Sequence, residues 1–426
     1  MDNKIPKGYK NTEIGVIPVD WEVTKLGICL TEKPKYGIGA AAIDYNVNFP
    51  TYLRITDIEE DGSLRKNDLK SVNHHESSNY YLKEGDVVFA RTGASVGKTY
   101  LHKSKNGEFV YAGFLIKITT NSEILNSGFL KSFTETKPYW NWVRVNSMRS
   151  GQPGINGNEY ANMQIPLPPL PEQKAIATVL SDTDKLIQTL EKKIAKKQLI
   201  KKGAMQDLLS PINSATGKLK EGWVEKTLGE VVLKFQNGYG FSASGYVDNG
   251  TPIVTMAQIG LDGSFQYNYI KTNKWKLSDF KLLKNYHLKN GDLIIAMTDV
   301  TPEKNLIGRM TIVKAEQTLL LNQRVGLLRI DESKVNAYFL KTYSNMKKWR
   351  DYSIASASLG VQANIGTYDI LNGKIDLPPI QEQTQIAQIL SDMDSELELL
   401  EKKLAKYKTL KQGLMQVLLT GQKRLV

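Results

Sequence analysis

Two stretches of the chain place apolar residues at alternating steps of four and three. Between about 381 and 419 these are Met393, Leu397, Leu400, Leu404 and Tyr407, then Leu414 and Leu418. That spacing predicts a long helix with an apolar seam. Between 171 and about 209 the same register carries Ile187, Leu190 and Ile194, with Thr183, Lys197 and Lys201 at other seam positions. Pro171 and Glu172 suit a first helical turn, and no proline follows until Pro211. At 1.5 Å per residue each helix would be about 57 Å long. Because both are long and alike in period, they are expected to pair within the chain. Two separate amphipathic helices, each packed on its own domain, are the alternative. Ahead of each helix the period shortens to strand-like runs between turn residues: Tyr52–Thr56, Gly85–Ala90 and Phe114–Thr119, then Ile253–Met256, Gly291–Met297 and Arg324–Ile330.

These elements occur twice because the sequence does. Ile165-Pro-Leu-Pro-Pro-Leu-Pro-Glu-Gln173 recurs as Ile375-Asp-Leu-Pro-Pro-Ile-Gln-Glu-Gln383, displaced by 210 residues, and the displacement holds without a gap through both helices. Trp21 to Gly27 likewise corresponds to Trp223 to Gly229, and Gly85-Asp86 to Gly291-Asp292. Insertions therefore fall in the globular parts, as expected where variable loops carry recognition on a constant scaffold. The predicted organisation is a connector (1–20), a globular domain (21–168), a helix (169–210), a connector (211–222), a second domain (223–377), a second helix (378–420) and a tail (421–426). The stretch before Trp21 and the tail resemble two pieces of the connector 211–222, so the N-terminal and C-terminal segments should meet. The fold class is α+β: two β-rich domains separated by two long antiparallel helices in an intrachain coiled coil, duplicated with circular pseudo-two-fold symmetry.

Composition narrows the partner. Fifty-six Lys and Arg against 44 Asp and Glu leave a formal charge of +12, which favours a polyanion, nucleic acid ahead of a membrane surface. No apolar run approaches a membrane span and the polar N-terminus lacks a secretory pattern, so a cytoplasmic protein is expected. Cys29 is the only cysteine, and the four histidines (His74, His75, His102, His287) form no zinc spacing with it; Cys29 reads as a buried thiol and no metal is expected.

Candidate chemistry lies in loops that match between the copies. Thr92-Gly-Ala-Ser-Val-Gly-Lys-Thr99 approaches a phosphate-binding loop but has Thr92 where the first glycine is needed, and the matching stretch from Thr298 to Arg309 lacks the pattern. It is either a turn between strands or a loop offering Arg91, Thr92, Ser95 and Lys98 to DNA. Gln152 in Ser150–Ile155 matches Gln362 in Gly360–Ile365, with Arg144, Arg149 and Arg350 nearby in sequence. Glutamine can pair with adenine, and arginine with guanine or phosphate. Lys35-Tyr36-Gly-Ile-Gly-Ala40 and Gln236-Asn-Gly-Tyr239-Gly-Phe241 form a third matching pair of loops, glycine-rich and aromatic. Arg54, Gln258, Thr298, Arg309 and Arg324 complete the candidate DNA contacts. Each of these segments could equally be a structural turn. The run Lys192, Lys193, Lys196, Lys197, Lys201 and Lys202 is either a solvated helix face or a track for phosphates. The chain has no methyltransferase tetrapeptide of the Asn-Pro-Pro-Phe type, and the halves share no histidine or other catalytic constellation. A binder is therefore favoured over a stand-alone DNA methyltransferase or a coiled-coil scaffold without DNA function.

The doubled run Ile165-Pro-Leu-Pro-Pro-Leu-Pro-Glu-Gln-Lys-Ala-Ile-Ala177 leading into a long helix, with Ile17-Pro-Val-Asp-Trp-Glu-Val-Thr-Lys-Leu-Gly27 opening a variable domain, resembles the specificity subunit of type I restriction-modification systems. Gln381 departs from the proline of the first copy at a position where either suits a first turn. The resemblance implies two target-recognition domains reading a split, asymmetric site on double-stranded DNA, with paired helices fixing the unread spacer. It also implies two modification subunits supplying S-adenosylmethionine and adenine methylation, and two restriction subunits using ATP and Mg. This chain itself would bind no cofactor.

A DNA reader of this charge should lose affinity roughly a thousandfold or more between about 50 and 200 mM salt. Gel shifts across that range check it; salt-independent binding, or none, would favour the scaffold reading.

Overall fold

A computed structural model describes residues 5–149, 151–358 and 362–425. The chain forms two compact units: one joins 1–192 to 402–426, the other holds 193–401. The boundary between them crosses both long helices. Each unit therefore owns a globular core and a segment of each helix, a division that boundaries drawn at the helix ends did not anticipate.

In the first unit a sheet runs in the order Lys35–Tyr36, Leu115–Ile118, Val87–Ala90, Thr99–Leu101, all antiparallel. Side chains alternate along a strand, so Val87 and Phe89 enter one apolar cluster with Trp21, Phe129 and Tyr139, while Val88 and Ala90 enter another with Leu53, Tyr100 and Leu115. Burial on both faces explains an uninterrupted apolar run where a half-exposed strand would alternate. A second sheet orders Phe109–Tyr111, Thr51–Leu53, Lys70–Ser71 and Ile43–Asp44, the first two parallel. The other unit repeats the logic. Leu293 and Ile295 join one cluster, Ile294 and Ala296 another, within the order Val232–Asn237, Val325–Ile330, Leu293–Ala296, Met310–Ile312. The repeated Gly-Asp pair closes the turn ahead of this strand: Gly85 and Gly291 have φ of 87° and 90°, and Asp86 and Asp292 accept the amides of Lys83 (2.8 Å) and Lys289 (3.0 Å).

The predicted strands appear within about three residues of their expected limits, the largest difference at Tyr52–Thr56, where the strand ends at Leu53 and a 3-10 turn takes over at Ile55. Among the described residues each unit also contains three short α-helices that strand-like texture alone did not suggest: Ser127–Phe133, Lys137–Asn146 and Gly157–Asn162, then Ala337–Tyr343, Lys347–Ser356 and Thr367–Asn372. Several begin on side-chain caps, Asn126 accepting the amide of Phe129 (3.0 Å) and Asn156 that of Glu159 (2.9 Å).

The long helices span Leu170–Leu208 and Ile380–Leu418, and their starts explain the repeated Glu-Gln. Gln173 donates to the carbonyls of Pro168 (2.8 Å) and Ile124 (3.0 Å) and accepts the Asn126 amide (2.8 Å). Gln383 does the same with Pro378 (2.9 Å), Lys334 (3.1 Å) and Asn336 (3.0 Å). Glu172 and Glu382 each accept an indole N–H, from Trp21 and Trp223, at 3.1 Å. In the first unit Asp184 meets Lys411 and Glu191 meets Lys408, both at 2.7 Å. In the second, Lys197 meets Glu396 at 2.7 Å and Lys201 meets Asp394. Within each unit, then, partners climb one helix as they descend the other, an antiparallel arrangement. The lysines at seam positions are accommodated because acids face them. Ile187, Leu190, Ile194 and Leu400 are buried; Leu397, Leu404 and Tyr407 are half-buried.

The N-terminal and C-terminal segments meet as expected. Tyr9 donates to the Gly421 carbonyl (3.0 Å), and the Arg424 guanidinium grips Asp20 (2.7 and 2.9 Å) and Glu172 (2.7 Å). Burial alone would raise the Glu172 carboxyl; Arg424 and the Trp21 indole outweigh it and hold it below the usual carboxylate range. A depressed folded-state pKa gives stability that is complete above the unfolded value and lost as pH falls through the folded one. Arg424→Ala should therefore unfold at higher pH in an acid titration followed by tryptophan fluorescence, and cost about 2 kcal/mol near neutrality.

Candidate nucleic-acid interface

The glycine-bearing loop 91–98 joins the antiparallel strands Val87–Ala90 and Thr99–Leu101. A phosphate-binding loop leads from a strand into a helix; this one returns to a strand, which fits the turn reading. Main-chain bonds tie it to a second loop, with Gly93 N–H donating to Pro153 (2.9 Å), Ile155 N–H to Arg91 (2.9 Å), and Thr92 bridging Gly154. The Arg91 guanidinium lies 4.9 Å from the centroid of the Tyr36 ring, and Tyr36 Oη accepts the Gly157 amide at 3.0 Å. Gly93, at φ 68°, has the Gln152 amide nitrogen 2.9 Å from where a Cβ would stand. So Tyr36, Arg91, Thr92 and Gln152, which span 117 positions of sequence, form one cluster. Cation–π stacking holds the arginine in place without neutralising it.

The remaining candidates in this unit divide. Lys35 pairs with Glu32, Lys98 with Glu60 (2.7 Å) and Arg149 with Glu159 (2.5 Å); Ser95 is half-buried and Arg144 exposed. Arg54 is engaged more fully. Its guanidinium binds both oxygens of Asp57 (2.6 and 3.0 Å) and the Asp68 carbonyl (2.8 Å), fastening a turn rather than facing outward.

In the second unit, Tyr239 N–H donates to Leu321 (2.8 Å), Gln323 N–H to Tyr239 (3.0 Å) and Met297 N–H to Arg324 (3.0 Å). Thr298–Asp299 pairs with Ala363–Asn364, beside Gln362. The 39%-exposed Tyr239 packs on Phe241 and Tyr286, centroids 5.0 and 5.4 Å away. The main-chain frame recurs, Ile365 N–H donating to Met297 (2.9 Å) as Ile155 does to Arg91, so that Tyr239 stands where Ile38 does, Arg324 where Phe114 does, and Gln362 where Gln152 does. Gln236 is partly occupied, donating to the Asn285 carbonyl. Four candidates are engaged within the fold, Thr298 and Arg350 buried and Gln258 and Arg309 half-buried. Thr298 is buried against the Met256 sulfur, and Gln258 caps a turn through the Thr255 amide (2.8 Å). Arg309 bonds to Asn345 and to the Asn305 carbonyl (2.5 Å). Arg350 is 8% exposed and donates to the carbonyls of Ile307, Lys304 and Asn305; burial, with Arg309 beside it, brings its pKa down to about 10. Ser150, Gly360 and Val361 lie outside the described residues.

Of the helix lysines, Lys192, Lys193, Lys196 and Lys202 are exposed, while Lys197 and Lys201 are ion-paired. Among the described residues, His74, His75 and Glu76 are grouped closely enough to hold a metal, but His75 and Glu76 are exposed and the half-buried His74 accepts the Glu76 amide at Nδ1 (3.2 Å). Burial pushes the Cys29 thiol up, as an inert thiol requires. No helix of the described residues is long and apolar enough to cross a membrane. An exposed aromatic of this cluster was missed: Phe114, whose carbonyl accepts the Arg91 amide (3.0 Å), is 59% exposed, and its place directly after Gly113 was the available signal.

Fold and loops define a duplicated α+β protein that presents two distinct polar and aromatic loop clusters. The type I restriction modification DNA specificity domain matches residues 18–199 and 220–408, and the chain belongs to that family, as a DNA sequence-specificity subunit. It is 28% identical over 422 residues to the type I restriction enzyme MjaVIII specificity subunit of Methanocaldococcus jannaschii, covering 96% of this chain and 94% of that one. It is 24% identical to the EcoKI specificity subunit of Escherichia coli, covering 79% and 74%. The S subunit of the type I restriction-modification system from M. genitalium has the same fold, with a TM-score of 0.62 at 14% identity over 93% and 96% of the two chains.

Arg91→Ala should weaken DNA binding by about 1–3 kcal/mol while leaving the melting temperature unchanged. Arg350→Ala should do the reverse, lowering stability by about 1–3 kcal/mol by stranding buried carbonyls. Paired binding and melting curves separate the two.

Proposed function

We propose that the chain is a non-catalytic reader of a bipartite, asymmetric site on double-stranded DNA, each unit contacting one half-site. The observation that carries this is a shared main-chain frame bearing different side chains: Arg91 donates its amide to Phe114 and accepts that of Ile155, and at the same place in the other unit Met297 donates to Arg324 and accepts from Ile365. Equal frames place loops alike, and unequal side chains read unlike bases. Two modification subunits, carrying S-adenosylmethionine for adenine methylation, and two restriction subunits, using ATP and Mg, would assemble on it in the cytoplasm.

The long helices would form an antiparallel intrachain coiled coil that measures the unread spacer, a reading supported by their buried seam residues and by the ion pairs within each unit. The duplicated contacts at Trp21 and Trp223 support the circular pseudo-two-fold plan. Purified alone, the chain should transfer no methyl group to DNA; transfer would support a stand-alone methyltransferase. Removing seven residues, two turns, from equivalent places in both helices keeps the seam in register and shortens each by about 10 Å, so the spacer should contract by roughly three base pairs. Sequencing the methylome of cells expressing the variant with its modification partner reads this directly, and an unchanged spacer would reject the ruler.

A further inference from the structure

We propose that Lys201 and Lys411 are positioning residues: each, with the acid it grips, locks a globular core to both long helices and so sets how strictly the protein discriminates between spacers. This rests on the bipartite reading above.

In the first unit the Lys411 ammonium meets Asp184 on the opposite long helix at 2.7 Å and Glu135 of the globular core at 2.8 Å. Lys131 holds the other oxygen of Glu135 at 2.6 Å. One ammonium thus joins three elements. In the second unit a carboxylate does so: Asp394 pairs with Lys201 of the opposite helix, accepts the Tyr338 hydroxyl from the core, and lies 3.4 Å from Lys341. Lys201 and Lys411, Asp184 and Asp394, and Lys131 and Lys341 are all related by the 210-residue displacement. Two nodes with different wiring have thus kept the same three positions.

These differ from the helix-surface pairs. The lysines are sheltered, Lys411 and Lys201 at 16% exposed and Lys131 and Lys341 at 12%, while Asp184 and Asp394 reach 38% and 31%; in the surface pair both partners are open, Lys197 at 37% and Glu396 at 40%. A sheltered multi-centre charge network is weakly screened and tolerates few geometries, so its contribution is to specify an arrangement more than to stabilise it. Apolar side chains there would fill the space yet allow the core to shift along the helices. A core free to shift would accept half-sites at the wrong separation.

The test uses the full chain assembled with its modification partner and a set of plasmids whose half-sites are separated by the native spacer or by one base pair more or fewer. Lys201→Met with Lys411→Met should keep native-spacer methylation and raise relative methylation at the altered spacers on the order of tenfold, the scale of one lost coupled contact. Lys201→Arg with Lys411→Arg should keep the wild-type discrimination. Methylation falling equally at every spacer, or unchanged discrimination, overturns the proposal. Should the methionine variant fail to fold, Asp184→Asn with Asp394→Asn keeps the side-chain shapes and must loosen discrimination in the same sense; if it does not, the proposal is wrong. The wild-type complex reports on the underlying reading separately: methylation indifferent to the second half-site would overturn both.

Discussion

The constraint on which the rest depends is the satisfaction of buried polar groups where each long helix begins. A helix start leaves unpaired amides, and a Pro-Pro turn leading into it leaves carbonyls that no neighbouring strand can use. One glutamine meets the second need and ties the helix to the core: Gln173 and Gln383 each donate to the carbonyl of the Pro-Pro turn and to one in the loop preceding a short helix, and accept an amide from that same loop. The neighbouring glutamate accepts the indole N–H of a tryptophan at the opening of the globular core. Core and helix are thereby fastened at their junction before any apolar packing further along. Losing either side chain would leave several groups dry and unpaired, which explains why Glu-Gln stands in both copies while Pro171 gives way to Gln381.

The features legible in the sequence were those set by period and repetition. The gapless 210-residue displacement located both long helices to within a residue, and uninterrupted apolar runs located the central strands, because burial on both faces leaves that trace. The short helices were illegible, since six to ten residues carry too few turns for a helical period to stand out; their caps, Asn126, Thr136 and Asn156, were the available signal. Residue types in the loops marked where recognition should lie without saying which side chains are free. Arg91 and Arg350 look equivalent in sequence. One stacks on Tyr36 and the other is buried among carbonyls, and the difference is made by neighbours more than forty positions away.

The seam of the long helices shows how tertiary context revises local preference. Lys197 and Lys201 would be poor at apolar positions facing copies of themselves. Here acids face them, and only the exposed pair belongs to the ordinary class of weak surface ion pairs. Charge in this chain accordingly does two jobs: an excess of cations attracts a polyanion, while a smaller set of sheltered pairs determines which elements sit against which.

The loop clusters are fastened chiefly through main-chain atoms: Gly93 to Pro153, Ile155 to Arg91, Tyr239 to Leu321, Gln323 to Tyr239. A frame held by amides and carbonyls is indifferent to most of the side chains it displays. Exposed loop residues can therefore be exchanged through generations at little cost to folding, and the target sequence can drift while the architecture stays still. That separation allows new specificities to arise by small steps through folded intermediates.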